Sequence, residues 1–428
     1  MTIFILCLFI PLIYLGYISE RKIDSPMFLF PSVWGIISTL ASLRLFNLIE
    51  VSNATYAMII MGTYSFVLGC LVTKKKRIIN FASKKRNERS IKKTMILLQL
   101  LALIVFLYSS TSAISLLRSG SSISDIYNMR IQMAYGSTTA LSSGSALTSI
   151  LLEYFARPVL AISIPYAAIV LIRDKKKIYF ILTILMLILS FINRGNRLDI
   201  ACFLLTIVFA FRMINQNFSI SKKQKRYVFL TAVAGIVLIF IISTTRGNFN
   251  MVESFYFYFC GNVPFADIKL NELSRPIEHT YFTTSLQGIV RFINQIFETF
   301  HFGEVKLFSL AEQYAFVEKA EAITTTGGLY NAFIGPFYFF YCDGGWLGVI
   351  IFSFINGLLS EQSYKETRRN DDIIMWMIYL IVIVRGIILS FYNYLFASIT
   401  YGMAAVLLII IAKRSNKKAH NYYKTMEE

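Results

Sequence analysis

The chain has 428 residues, of which 56% are hydrophobic and 15% charged, with a formal net charge of +18. A soluble domain carries about 25% charged residues, so this composition argues against an ordinary soluble protein. The positive charge sits in short Lys and Arg runs between apolar segments, a pattern that belongs to membrane topology and argues against nucleic-acid binding.

Apolar runs of about 20 residues, the length a helix needs to cross about 30 Å of hydrocarbon, recur along the chain. The first covers 2–18 and lacks both a basic leader and a small-residue cleavage site, so it reads as a retained span. Further runs cover 27–46, 54–72, 94–116, 149–172, 178–193, 198–214, 227–244, 345–360, 373–391 and 396–412. The expected fold is therefore all-α: a polytopic transmembrane helix bundle of about 11 spans, forming one integral membrane domain over 1–428.

Strict alternation places the connections 19–26, 74–93, 173–177, 215–226, 361–372 and 413–428 on one side. These hold 28 Lys and Arg, against 10 on the other side. The positive-inside rule makes the basic side cytoplasmic, with the N-terminus outside and the C-terminus in the cytoplasm. Two external loops are long. Residues 118–148 are rich in Ser, Thr and Gly, and 245–344 form a loop too long for a passive connection. The larger loop has ten acidic and six basic residues. No internal repeat is visible, which disfavours a transporter built from repeats.

Cys7, Cys70 and Cys202 fall in apolar spans and no CxxC pair occurs. Cys260 and Cys342 share the external side, where either a disulfide between them or two free thiols is compatible with the spacing.

Arginines at membrane depth are the most informative residues. Arg157 lies about 12 Å into the fifth span from outside, and Arg385 sits in the outer half of the tenth. Arg194 and Arg197, in INRGNRLD, and Arg246, in STTRGN, mark external span ends. A guanidinium fork suits bidentate phosphate recognition, so this set, with Arg291 in the large loop, is a candidate site for a lipid-linked diphosphate. The plainer readings stay open: Glu153 and Arg157 form an i,i+4 pair, and the others are interfacial anchors. Pro158 and Pro165 are expected to kink the fifth span.

His279 and His301 are the large loop's two histidines, each a candidate base near neutral pH or a structural residue. In the stretch 286–302, Ile289, Phe292, Ile293, Ile296 and Phe300 recur at helical spacing, with Arg291, Asn294, Glu298 and His301 opposite. Such an amphipathic helix is either a lid lying on the membrane or a peripheral packing helix. Two aromatic runs, 255–259 and 337–341, suit either sugar stacking or an interfacial belt, and the second reads better as a belt. No external DxD, HExxH, P-loop or GxSxG occurs, so no metal and no cofactor are expected.

The segment TGGLYNAFIGPFYFFYCDGGWLGVIIFSFINGLL (326–359) resembles the bacterial Wzy-type oligosaccharide repeat-unit polymerases of O-antigen and capsule synthesis. Their pattern joins an Asn and an aromatic run to Y-x-D-x-G-x-x-G at the entry of a late span. Here it falls on Asn331, Tyr341, Asp343, Gly345 and Gly348, with Gly344 where the family usually has an aromatic. NRGNR after a mid-chain span, and many spans with one large external loop, are similar too. The resemblance implies a membrane glycosyltransferase that passes a growing glycan from polyprenyl diphosphate to a sugar hydroxyl of another lipid-linked unit. It implies Arg157, Arg194, Arg197, Arg246, Arg385 and Arg291 on the diphosphates, and His279, His301 or Asp343 as the base. A structural role in helix capping is equally open for Asp343. The implied partners are lipid-linked oligosaccharides and the bilayer, with a chain-length regulator and a flippase as candidate proteins. An O-antigen ligase or a lipid-linked oligosaccharide flippase are the alternative functions.

Overall fold

The computed structural model describes residues 1–75, 87–120, 146–194, 198–217, 251–273, 277–303, 305–315, 321–330, 333–369 and 371–427. Its helices in chain order begin with α1 (Thr2–Glu20), α2 (Pro26–Ser42), α3 (Asn53–Lys75), α4 (Glu88–Ser109) and α5 (Thr111–Arg118). Then come α6 (Ala146–Leu151), α7 (Arg157–Asp174), α8 (Ile178–Arg194) and α9 (Leu198–Asn217). After these follow α10 (Met251–Cys260), α11 (Asn262–Glu272), α12 (Gln287–Thr299) and α13 (Lys306–Ala315), and a hairpin of β1 (Glu321–Ala322) and β2 (Leu329–Tyr330). The chain ends with α14 (Pro336–Arg369), α15 (Ile373–Ile381) and α16 (Ile399–Glu427). Among the described residues, five helical stretches are long and apolar enough to cross a membrane: Thr2–Glu20, Asn53–Thr73, Glu88–Ser109, Leu147–Asp174 and Pro336–Arg369. They point to a membrane-embedded protein. Helix is present over each expected span except 227–244, which lies outside the described residues, as do 121–145 of the first external loop.

The residues group into two compact units. One comprises Met1–Ala82, Asn250–Asp371 and Val382–Gly402. Its centre is the crossing of α3 and α14. Helices in lipid gain nothing from hydrophobicity against each other, so close approach through small residues supplies the association. A Cβ on Gly69 would stand 2.1 Å from the Phe354 carbonyl oxygen, and one on Gly357 would stand 2.0 Å from that of Phe66. The close approach lets the Cys70 thiol and Thr73 hydroxyl donate to the carbonyls of Gly357 and Leu358, at 3.4 and 3.3 Å. Phe30 stacks on Phe66 with ring centroids 4.0 Å apart, and Trp34 meets Phe337 edge-on at 4.7 Å. Phe337, Tyr338, Phe339 and Phe340 are thus core residues, which corrects the expectation of an interfacial belt there. Cys260 and Cys342 are buried free thiols, so the disulfide reading is set aside.

At one end of this unit, Asp267 on α11 holds the start of α3. It accepts from the Ser52 amide at 3.2 Å, from the Ser52 hydroxyl, and from the Thr55 hydroxyl at 2.6 Å. Lys269, on the same helix, bonds Glu272 at 2.7 Å and Glu321 at 2.6 Å, tying α11 to the hairpin. Burial pulls the Lys269 pKa down, but its two carboxylate partners outweigh that and hold it above the ordinary lysine value. The hairpin also takes residues 47–49 as a neighbour, with the Ile49 amide donating to Ile323 at 3.0 Å and the Thr325 amide to Asn47 at 2.9 Å. At the other end Asp24 meets Arg368 at 3.8 Å. Connections assigned to one side by charge therefore meet connections assigned to the same side.

The second unit comprises Ser83–Phe249, Asp372–Ile381 and Met403–Glu428. Helix α7 runs through its middle, with Val159 to Val170 almost wholly buried against α4, α8, α9 and α15. At one end Arg173 pairs with Glu88 at 2.9 Å and Lys92 with Asp174 at 2.6 Å. Further along, Gln99 donates to Thr183 at 3.1 Å, and Asn193 to Ser109 at 2.8 Å, cross-links of the kind expected where polar side chains lie at membrane depth. The irregularity expected at Pro158 takes the form of a wide π-turn over Leu152–Ala156, just before the proline that lacks an amide donor.

Replacing Gly357 with Ala forces the α3–α14 backbones apart and is expected to cost about 1–3 kcal/mol. Thermal unfolding in detergent checks this: the midpoint falls for Gly357→Ala and stays put for Gly344→Ala, whose Cβ would meet open space. Equal midpoints contradict the crossing.

Candidate functional site

The site-bearing region of the first unit is organised by a break in α14. Gly344 (φ −162°, ψ 25°) and Gly345 (φ 60°, ψ −144°) leave helical geometry inside an otherwise apolar helix. Only glycine adopts the Gly345 conformation without strain. The break frees carbonyls that hydrocarbon cannot satisfy, so protein must. The strap 279–286 does this: the Thr280 amide donates to the Cys342 carbonyl at 3.2 Å, and the Tyr281 amide to that of Asp343 at 3.1 Å.

Asp343 closes the arrangement from the helix side. Its carboxylate is 1% exposed. Oδ1 accepts from the Thr280 hydroxyl at 2.7 Å and from the Thr284 amide at 3.0 Å, and Oδ2 accepts from the Ser285 amide at 2.9 Å. These are charge-assisted bonds, stronger than neutral ones, and they lie just ahead of α12, where helix amides have no internal partner. Gly348 completes the pattern, because a Cβ there would stand 2.2 Å from the Phe340 carbonyl oxygen. The Y-x-D-x-G-x-x-G residues thus translate into a held break. Tyr341 packs edge-on against Trp346 at 5.8 Å. Asn331 lies outside the described residues.

His279 is brought to this break. A Cβ on Gly345 would be 3.3 Å from its Cε1 and 3.5 Å from its Nε2, so glycine also leaves room for the ring. Nδ1 is buried and, among the described residues, has no hydrogen-bond partner. The same holds for Gln287 Oε1, eight residues on. A buried polar atom left unpaired costs about 1–3 kcal/mol, so each one needs a physical reason to persist.

Arg385 belongs to the same unit. It sits in a π-turn, Val382–Ile388, and is 3% exposed. Its guanidinium lies 5.4 Å from the Tyr392 ring and 5.0 Å from that of Tyr401. Tyr401 adjoins Gly402, whose added Cβ would be 2.9 Å from the Gly288 carbonyl carbon in the first turn of α12. Arg385 therefore lies against a tyrosine whose chain neighbour, Gly402, packs on the first turn of α12. Neither the tyrosine pair nor the Gly288–Gly402 contact was signalled by sequence; the hydroxyl-rich run TYFTTS (280–285) was the one signal of the strap.

The other candidates lie elsewhere. Arg291 is half-exposed and pairs with Glu312 at 3.3 Å, next to Asn294, which donates to Glu298 at 3.0 Å. His301 is exposed just past the far end of α12, about 20 Å from its start at 1.5 Å per residue. In the second unit Arg157 is bonded to Glu153 at 2.7 Å, the i,i+4 pair open from sequence. The Arg194 side chain, Arg197 and Arg246 lie outside the described residues. Among the described residues no three His, Cys, Asp or Glu side chains are grouped to hold a metal ion. No protein-family model, curated protein or solved structure matches the chain.

Asp343→Ala leaves the buried Thr284 and Ser285 amides without their acceptor, at about 1–3 kcal/mol each. Hydrogen exchange over 279–286, read by mass spectrometry, is expected to accelerate strongly in this variant. Unchanged protection contradicts the assignment of Asp343 to holding the strap.

Proposed function

We propose that the chain polymerises polyprenyl-diphosphate-linked oligosaccharide repeat units into a surface polysaccharide, working at the external face of a bacterial cytoplasmic membrane. The observation that carries this reading is His279 at the glycine break of an apolar helix, in the same compact unit as the buried Arg385. A base at the polar end of a span and a permanently charged cation at membrane depth suit a substrate whose sugar is polar and whose anion is anchored in lipid.

In this reading His279 takes the proton from the acceptor sugar hydroxyl. The hydroxyl oxygen bonds to the donor's anomeric carbon as the bond from that carbon to the diphosphate oxygen breaks. The electron pair leaves on the lipid diphosphate, and Arg385 offsets the charge that develops there. Asp343 acts through the strap as a positioning residue, since its oxygens already accept three bonds. The excess of Lys and Arg on one set of connections supports an external N-terminus and a cytoplasmic C-terminus.

Deleting the gene in its host and sizing the surface glycan tests the function. Single repeat units still joined to their surface acceptor are the expected result. Units trapped inside would favour a flippase, and long chains never joined to the acceptor a ligase. For the site, His279→Gln is expected to abolish chain growth and Arg385→Lys to slow it by about 10²–10³. Chain growth that survives His279→Gln but fails in His301→Ala would move the base to the other histidine.

A further inference from the structure

The buried positions of helix α12 are Gln287, Gly288, Val290 and Asn294, and its half-exposed Arg291 pairs with Glu312. Gly288 presses so closely on the chain at 398 that a Cβ would stand 2.3 Å from the Ser398 carbonyl oxygen. Ile296 is exposed, and the helix leads into Phe300 and Phe302, which are 64% and 71% exposed. Water would oppose that arrangement, because exposed apolar area disfavours it by about 25 cal/mol per Å².

The strap before α12 shows the same preference at a local cost. Tyr281 (φ 44°) and Phe282 (φ 76°) both occupy the left-handed region, which disfavours bulky side chains by about 1–2 kcal/mol each. Both are nevertheless largely exposed. The Phe282 ring meets Phe352 of α14 edge-on at 4.8 Å. Phe352 lies in the apolar stretch beyond the break, beside the exposed Leu347, Ile351 and Ile355. The outward face of the strap and α12 therefore continues the apolar flank of a membrane-spanning helix.

We propose that this face, from Tyr281 and Phe282 through Ile296 to Phe300 and Phe302, is seated in a phospholipid bilayer. The bilayer is its partner, and seating it fixes His279 at the lipid–water boundary. This proposal stands on packing and exposure and does not depend on the catalytic reading. Lipid covers the exposed rings without asking anything of their polar neighbours, because Arg291 is paired with Glu312 and Asn294 with Glu298.

Photocrosslinking of the full chain in liposomes of phosphatidylethanolamine and phosphatidylglycerol tests it. p-Benzoylphenylalanine is placed singly at Phe282, Phe300 or Phe302, and at Thr325 in the exposed hairpin turn as the aqueous control. After irradiation, mass spectrometry is expected to find phospholipid adducts at the three aromatic positions and none at Thr325. Crosslinks to a second copy of the chain would make the face a protein interface and overturn the proposal. So would crosslinks from Phe300 or Phe302 to another segment of the same chain, or the absence of lipid adducts. If the Phe282 variant fails to fold, the Phe300 and Phe302 positions decide the question alone.

Discussion

A helix interrupted in hydrocarbon must find partners for the carbonyls it releases, and most of the first unit's arrangement depends on how α14 meets that demand. Gly345 makes the break and the strap 279–286 supplies the amides. Asp343 returns a carboxylate to the amides at the strap's end, so each segment satisfies what the other exposes. Two features are set in consequence: His279 is held against the break, and α12 starts where its first turn meets Gly402. Removing any of these parts leaves buried polar groups with nowhere to go, which makes the whole region cooperative.

The same unit handles charge at membrane depth in a second way. Arg385 lies against two tyrosine rings, whose faces stabilise a cation. Lys could not use such a cradle equally well, being a point charge without a plane to stack. Arg157 illustrates the contrasting solution, neutralised by a carboxylate one turn away on its own helix.

Much of this was legible in the residues, though unevenly. The helical class followed from apolar run lengths. The Glu153–Arg157 pair followed from spacing, because i,i+4 neighbours face each other whatever the fold. The periodicity of 286–302 identified two faces but not that Asn294 would be buried while Phe300 is exposed. Asp343 and Gly345 stood out as a motif, yet whether the carboxylate was a base or an anchor depended on donors 58 to 63 residues away in sequence. The run 337–341 looked like a belt because aromatic composition is the same in a core and at an interface; its burial beside Phe30 and Trp34 distinguishes them.

The central claim is that a lipid diphosphate leaves as a sugar hydroxyl is glycosylated. It is tested most directly by reconstituting the purified chain in liposomes with the host's own lipid-linked repeat units and measuring released polyprenyl diphosphate against glycosidic bonds formed. The account predicts one diphosphate released per repeat unit added, with products lengthening on the lipid. Lipid-linked units that cross the bilayer unchanged, with neither diphosphate release nor longer glycans, would contradict it.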